Sequence, residues 1–174
     1  TQGTETRINF EGNGLSPYTL DRWELFKHDG TDYALAEVLP AGGPTVYITD
    51  PDAVTKSEKY KVRYVDQCGN ASVFTPEFSS VFLSESGNST LNWTAAVPFA
   101  EAGIDHYSII YYEGDTPSGA PLGTQKAGAA IHSHAINTAA FNSTGTFVVK
   151  TISNDGRESS SNPVTFAVKG ALFL

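Results

Sequence analysis

Side chains in this chain alternate between apolar and polar with a period of two residues. Ile8 and Phe10 alternate with Arg7, Asn9 and Glu11, and Trp23 and Leu25 with Arg22 and Glu24. Tyr60, Val62 and Tyr64 alternate with Lys59, Lys61 and Arg63, and Val164, Phe166 and Val168 with Thr165, Ala167 and Lys169. Successive side chains of a strand point to opposite faces, so each run predicts a strand with one buried face. Turn-forming residues separate the runs: Asp29-Gly30, Gly42-Gly43-Pro44, Gly69-Asn70, Gly114-Asp115 and Asp155-Gly156. No window of helical length carries a 3.6-residue apolar stripe. The segment 97–104 is short and contains Pro98 and Gly103, which reads as a loop. Short strands at regular spacing predict an all-β, antiparallel sandwich or barrel.

Composition limits the partners. The net charge of −8 comes from 11 Lys+Arg against 19 Asp+Glu, without a basic cluster. Phosphate backbones are bound by Lys and Arg, so no nucleic-acid partner is expected. No apolar run approaches the ~20 residues of a helical membrane span. One Cys rules out an intrachain disulfide, which leaves stability to hydrophobic burial. The chain has no Met. That predicts a processed product or a piece of a longer chain.

The alternating runs recur in order. Arg7-Ile8-Asn9-Phe10-Glu11 matches Thr90-Leu91-Asn92-Trp93-Thr94, and Leu20-Asp21-Arg22-Trp23-Glu24-Leu25 matches Ile104-Asp105-His106-Tyr107-Ser108-Ile109. Tyr60-x-Val62, Gly69, Ser72 and Pro76 match Phe147-x-Val149, Gly156, Ser159 and Pro163. Matched Asn, Asp, Gly and Pro positions in one order predict two units, residues 1–80 and 81–174. Units this small need aromatic cores. Phe10, Trp23, Tyr33, Tyr47, Tyr60 and Tyr64 are expected to serve the first. Trp93, Tyr107, Tyr111, Phe147 and Phe166 are expected to serve the second.

These residues resemble the fibronectin type III family. The aromatics Phe10 and Trp93, then Trp23 and Tyr107, then Tyr60-Lys61-Val62 and Phe147-Val148-Val149 fall where the family carries them on its second, third and sixth strands. Val65-Asp66-Gln67-Cys68-Gly69-Asn70-Ala71-Ser72 is similar to a hairpin common in bacterial members. The resemblance implies two tandem antiparallel Greek-key β-sandwiches. Against that pattern the first unit lacks most of its first strand. The apolar stub Ala171, Leu172, Phe173 and Leu174 falls where a third unit would begin. The plain expectation is a window of a longer repeat array. The alternative is strand exchange, with the stub of one copy filling the open edge of the next.

Few residues suggest chemistry. His132-x-His134 puts two imidazoles on one face of a strand, the weak candidate for a metal site, with His106 as a ligand that only the fold could bring near. His28 lies in a hairpin beside Asp29 and reads as surface. Cys68 lies at a hairpin with no adjacent base or cation to form a thiolate. The carboxylates pair as Asp29/Asp32, Asp50/Asp52 and Glu113/Asp115, which reads as turn chemistry ahead of a cation site. Sequons occur at Asn70, Asn88, Asn92 and Asn142. Phe26 and Tyr112 fall on strands whose neighbours face inward. They are therefore candidate exposed aromatics for stacking on a glycan or anchoring a protein.

No cofactor and no catalytic constellation is expected, and the chain reads as a non-enzyme. The expected role is an extracellular structural or adhesion module of a bacterial surface or secreted protein, or of a phage virion. Its expected partners are other protein domains or copies of itself. The alternatives are a filament subunit joined by edge-strand pairing, and a carbohydrate-binding accessory module of a secreted hydrolase.

Overall fold

The runs between the turn dipeptides form the strands. In this computed structural model the described residues are 5–9, 20–41, 45–87, 89–95, 98–99, 102–113, 116–117, 120–126, 128, 132–137 and 144–167. Among them every regular element is a strand except one 3-10 turn, Pro51–Val54, and every strand pair is antiparallel. No helix among them is long and apolar enough to cross a membrane. The chain divides into two compact units, Thr1–Ser79 and Ser80–Leu174.

Unit 1 holds β1 (Glu5–Asn9), β2 (Leu20–His28), β3 (Tyr33–Pro40), β4 (Thr45–Thr49), β5 (Lys59–Asp66) and β6 (Phe78–Ser79). Strands β1 and β4 pair with each other, and the remaining four form a sheet ordered β3-β2-β5-β6. The inner side chains of that sheet alternate as the sequence demands. Leu25, Leu39, Tyr60 and Val62 are buried, with Trp23 and Phe78 packed against them. A β-bulge interrupts the β2–β3 pair. Leu25 opposes Glu37 and Phe26 opposes Leu35, so Ala36 has no partner.

That bulge corrects one expectation. Tyr33, expected in the core, opposes His28 and lies with it on the outer face of the sheet. The extra residue shifts the alternation of β3, which period-two reading cannot register. The side chains of Phe10, Tyr47 and Phe166 lie outside the described set.

Unit 2 holds β7 (Leu83–Glu85), β8 (Thr90–Trp93), β9 (Ile104–Glu113), β10 (Thr116–Pro117), β11 (Gly123–Lys126), β12 (Ser133–Ala135), β13 (Thr144–Ser153), β14 (Glu158–Ser160) and β15 (Val164–Ala167). One sheet runs β12-β8-β7. The other runs β10-β9-β13-β14, with β11 beside β9 and β15 beside β13. A single core draws Leu83, Leu91 and Trp93 from the first sheet and Tyr107, Ile109, Tyr111, Phe147 and Val149 from the second. Along β13 the burial alternates without a break, and Phe147, Val149 and Thr151 are fully enclosed.

The two units share local chemistry at matched positions. Gly69 donates to the Asp66 carbonyl and Gly156 to the Ser153 carbonyl, both at 3.0 Å. Both glycines have positive φ, +85° and +84°, where a side chain would be strained. On the returning segment, Thr75 exchanges bonds with Val62. Its N–H donates to the Val62 carbonyl at 2.8 Å and its Oγ1 accepts from the Val62 N–H at 3.1 Å. Ser161 does the same with Val149, at 2.9 Å and 3.0 Å.

Candidate functional site

The outer face of the β3-β2-β5-β6 sheet concentrates the unusual surface chemistry of unit 1. Glu24 and Phe26 project there from β2, and Lys61 and Arg63 from β5, because the alternate residues of both strands fill the core. Glu24 is only 6% exposed. A carboxylate that buried needs charged partners, and it has two. Arg63 Nε donates to Oε2 at 2.7 Å, and Arg22 Nε donates to Oε1 at 3.0 Å. The Arg63 hydrogen bond, aided by Arg22, holds the Glu24 carboxyl below the usual carboxylate range despite burial.

Arg63 also stacks. Its guanidinium lies 5.1 Å from the ring centroids of both Phe26 and Phe74, and the two rings meet edge to face at 4.9 Å. Phe74 reaches this face from the segment that returns alongside β5, next to Thr75. A second cation–π pair continues the row, with Lys61 Nζ 4.3 Å from the Tyr33 ring. Tyr33 donates a hydrogen bond to Glu77, which also pairs with Lys59 at 3.0 Å. Burial and then Glu77 push the Tyr33 hydroxyl up to about 12, so it stays protonated at neutral pH. The row is flanked by apolar surface. Leu35 beside Phe26 is 52% exposed, Val38 beside Glu24 is 49% and Phe74 is 41%.

A different cluster lies at the end of the inner face. Lys27 Nζ meets Asp50 Oδ1 at 2.8 Å, Asp52 Oδ2 at 3.2 Å and Glu58 Oε1 at 3.7 Å. The buried Tyr60 hydroxyl donates to Asp50 Oδ2 at 2.6 Å. Asp50 also caps the Pro51–Val54 turn by accepting from Asp52 N–H at 3.1 Å. Burial works to raise its carboxyl, but Lys27 and Tyr60 outweigh this and hold it low. Lys27 already fills the position among the carboxylates that a cation would take.

Phe26, expected to be exposed, is on the outer face but half covered by Arg63 and Phe74. Tyr112 is also on an outer face, opposite Thr146 and Pro117, and is half-buried. The imidazoles of His132 and His134 pack on other groups. His132 meets Trp93 and Tyr107 edge-on, at centroid distances of 6.2 and 5.3 Å. His134 lies against the backbone of Gly123, where an added Cβ would meet its ring at 2.6 Å. His106 precedes the inward Tyr107 on β9, so it takes the opposite face and pairs with Asp105 at 2.7 Å. No group of three or more His, Cys, Asp or Glu that could hold a metal occurs among the described residues.

Asp29 forms its turn by accepting from Thr31 N–H at 2.8 Å and Asp32 N–H at 3.0 Å. Cys68 is exposed at the hairpin tip. Residues 171–174, Asn88, Asn142 and Asp115 lie outside the described set, as does the Glu113 side chain.

Sequence reading missed Phe74, Arg63 and Glu24 as one unit. Phe74 sits outside any alternating run. Arg63 and Glu24 read as the solvated half of an alternation. Nothing in the sequence sets the register: Trp23–Leu25 and Tyr60–Tyr64 are neighbouring strands, but it is the observed pairing that brings Glu24 opposite Arg63.

No protein-family model and no curated protein matches the chain. Solved structures do. The fibronectin(III)-like modules of Clostridium thermocellum CbhA are 18% identical with a TM-score of 0.39, covering 97% of this chain and 87% of that one. The central fibronectin-III array of RIM-binding protein is 13% identical with a TM-score of 0.34, covering 100% and 67%. A DUF3823 family protein from Bacteroides ovatus is 13% identical with a TM-score of 0.36, covering 97% and 100%.

Proposed function

We propose that the chain is a pair of fibronectin type III-like sandwiches serving as a non-enzymatic, extracellular structural and interaction module. It would belong to a bacterial surface or secreted protein or to a virion. The observation that carries this reading is the outer face of unit 1. Leu35 and Val38, on the outermost strand of the sheet, and Phe74 are exposed there around the Phe26–Arg63–Glu24 cluster. Exposed apolar groups grouped around ordered aromatic and Arg side chains are the composition of a protein-binding surface. The matched turn and strand chemistry of the two units supports a tandem repeat. An antibody raised against the chain is expected to label intact cells or particles of the source. Labelling that requires permeabilisation would overturn the extracellular assignment.

A carbohydrate-binding module is the second reading, favoured by the Phe74 ring at 41% exposure. It predicts glycan-array binding that disappears in Phe74→Ala.

A further inference from the structure

We infer that Lys27 and Asp50 condense to an intramolecular isopeptide bond, with Glu58 as the proton relay. This goes beyond the interaction module proposed above and does not depend on it. Lys27 lies on the inner face of β2, two residues after the buried Leu25 and opposite Tyr60. Asp50 follows the last residue of β4, and Glu58 precedes the first of β5. The fold therefore brings an amine and two carboxyls from three segments to one point. Asp50 is 5% exposed and Glu58 is 3% exposed.

A structural ion pair needs one carboxylate for its ammonium. Here two buried ones face the same nitrogen, with Lys27 Nζ 2.8 Å from Asp50 Oδ1 and 3.7 Å from Glu58 Oε1. The exposed Asp52 adds a third at 3.2 Å, and the exposed Lys56 meets Glu58 at 3.0 Å. Tyr60 completes the arrangement. Its hydroxyl donates to Asp50 Oδ2 at 2.6 Å, which leaves Oδ1 to Lys27 and stabilises negative charge on Oδ2 as the carbon becomes tetrahedral. Burial pulls the Lys27 ammonium down and the Asp50 carboxyl up, toward the neutral amine and acid that react. Their hydrogen bonds outweigh burial, so the ions are the resting form and the bond forms slowly after folding. The ion pair sets the stability of unit 1 until then.

The step balances without a co-reactant. The ammonium passes a proton to Glu58, the freed amine attacks Asp50 Cγ, and the new C–N bond forms as the Cγ–Oδ1 bond breaks. Nζ keeps one of its three protons. The other two leave with Oδ1 as water, one of them through Glu58, which ends as it began. One positive and one negative charge are consumed, and nothing is oxidised or reduced. Groups held in contact react with effective molarities of ~10⁵–10⁸ M, which offsets the pull of water toward hydrolysis. The product ties β2 to the end of β4 and so joins the two sheets of unit 1, a covalent link that a single Cys cannot provide.

Intact-mass spectrometry of the full chain, sampled from hours to weeks after folding, tests this. The folded chain is expected to lose the mass of one water, and a chain held unfolded in guanidinium to lose none. Lys27→Arg keeps the charge without the amine and should retain its full sequence mass, as should Asp50→Ala. Glu58→Gln, with unit 1 folded by Trp23 fluorescence, should slow the loss at least tenfold.

Digestion locates the bond. Trypsin should no longer cut at Lys27, and cleavage at Glu24, Glu37 and Lys56 should leave residues 25–37 joined to residues 38–56. A succinimide at Asp29-Gly30 or Asp155-Gly156 would also lose one water, but it would persist in Lys27→Arg and join no fragments. Full sequence mass throughout, or a water loss with the two fragments separate, would overturn the bond. An unchanged rate in Glu58→Gln would overturn the relay. Intact-cell labelling decides the module reading separately.

Discussion

Replacing Asp50 by Ala removes three contacts from a 5% exposed carboxylate: Lys27 at 2.8 Å, the Tyr60 hydroxyl at 2.6 Å and the Asp52 N–H at 3.1 Å. Breaking a buried ion pair from one side costs about 3–5 kcal/mol, because the other charge stays desolvated. Loss of the Tyr60 hydrogen bond to the carboxylate costs about 1–3 kcal/mol and a lost cap about 0.5–2 kcal/mol. These contacts share one group and do not add. Lys27 keeps Asp52 and Glu58 as partners, which favours the lower part of the range. The expected loss is therefore about 3 kcal/mol from unit 1.

Urea unfolding followed by tryptophan fluorescence measures it, since Trp23 and Trp93 place one reporter in each unit. A Trp93→Phe background isolates unit 1. Asp52→Ala, which removes one bond from a side chain 57% exposed, should cost less than about 1 kcal/mol. A double-mutant cycle of Asp50→Ala with Tyr60→Phe should show coupling of about 1 kcal/mol or more. A loss under about 1 kcal/mol for Asp50→Ala, equal to that of Asp52→Ala, would refute the reasoning that burial makes this network matter.

Other outcomes follow from the same geometry. Glu24 and Asp50 both have carboxyls held below their unfolded values, so the unfolded state binds more protons in acid. Unit 1 stability should hold above pH ~5 and fall as pH drops through about 4, and Glu24→Gln with Asp50→Asn should flatten that fall. Phe147→Ala, at a fully buried ring, should cost about 3–5 kcal/mol in the Trp93-reported transition and spare the Trp23 one. Gly145→Ala would place a Cβ 2.8 Å from the Tyr111 ring and 2.9 Å from the Phe147 ring, costing about 1–3 kcal/mol by thermal melting of unit 2. His132→Phe should change stability by less than about 1.5 kcal/mol, because the imidazole packs edge-on against Trp93 and Tyr107 as a ring.

Period-two alternation carried the core a long way. Leu25, Tyr60 and Val62 are buried where alternation put them, because a pleated strand leaves no other choice, and Trp93, Tyr107, Phe147 and Val149 are buried at the positions the repeat matched to the first unit. The loop read for 97–104 agrees with 98, 99, 102 and 103 lying outside the strands and fails at Ile104, which opens β9. The outer faces were less legible. Alternation labels Glu24 and Arg63 polar but says nothing about whether they meet, and a salt-bridged stack depends on cross-strand register. Tyr33 was misplaced because a bulge adds one residue without changing composition. His132 lies just before β12 and His134 within it, and their rings pack on Trp93, Tyr107 and Gly123, supplied by other strands.

The most direct measurement is labelling of the source with an antibody raised against the chain. An extracellular module predicts labelling of intact cells or particles. Labelling that appears only after permeabilisation would contradict it.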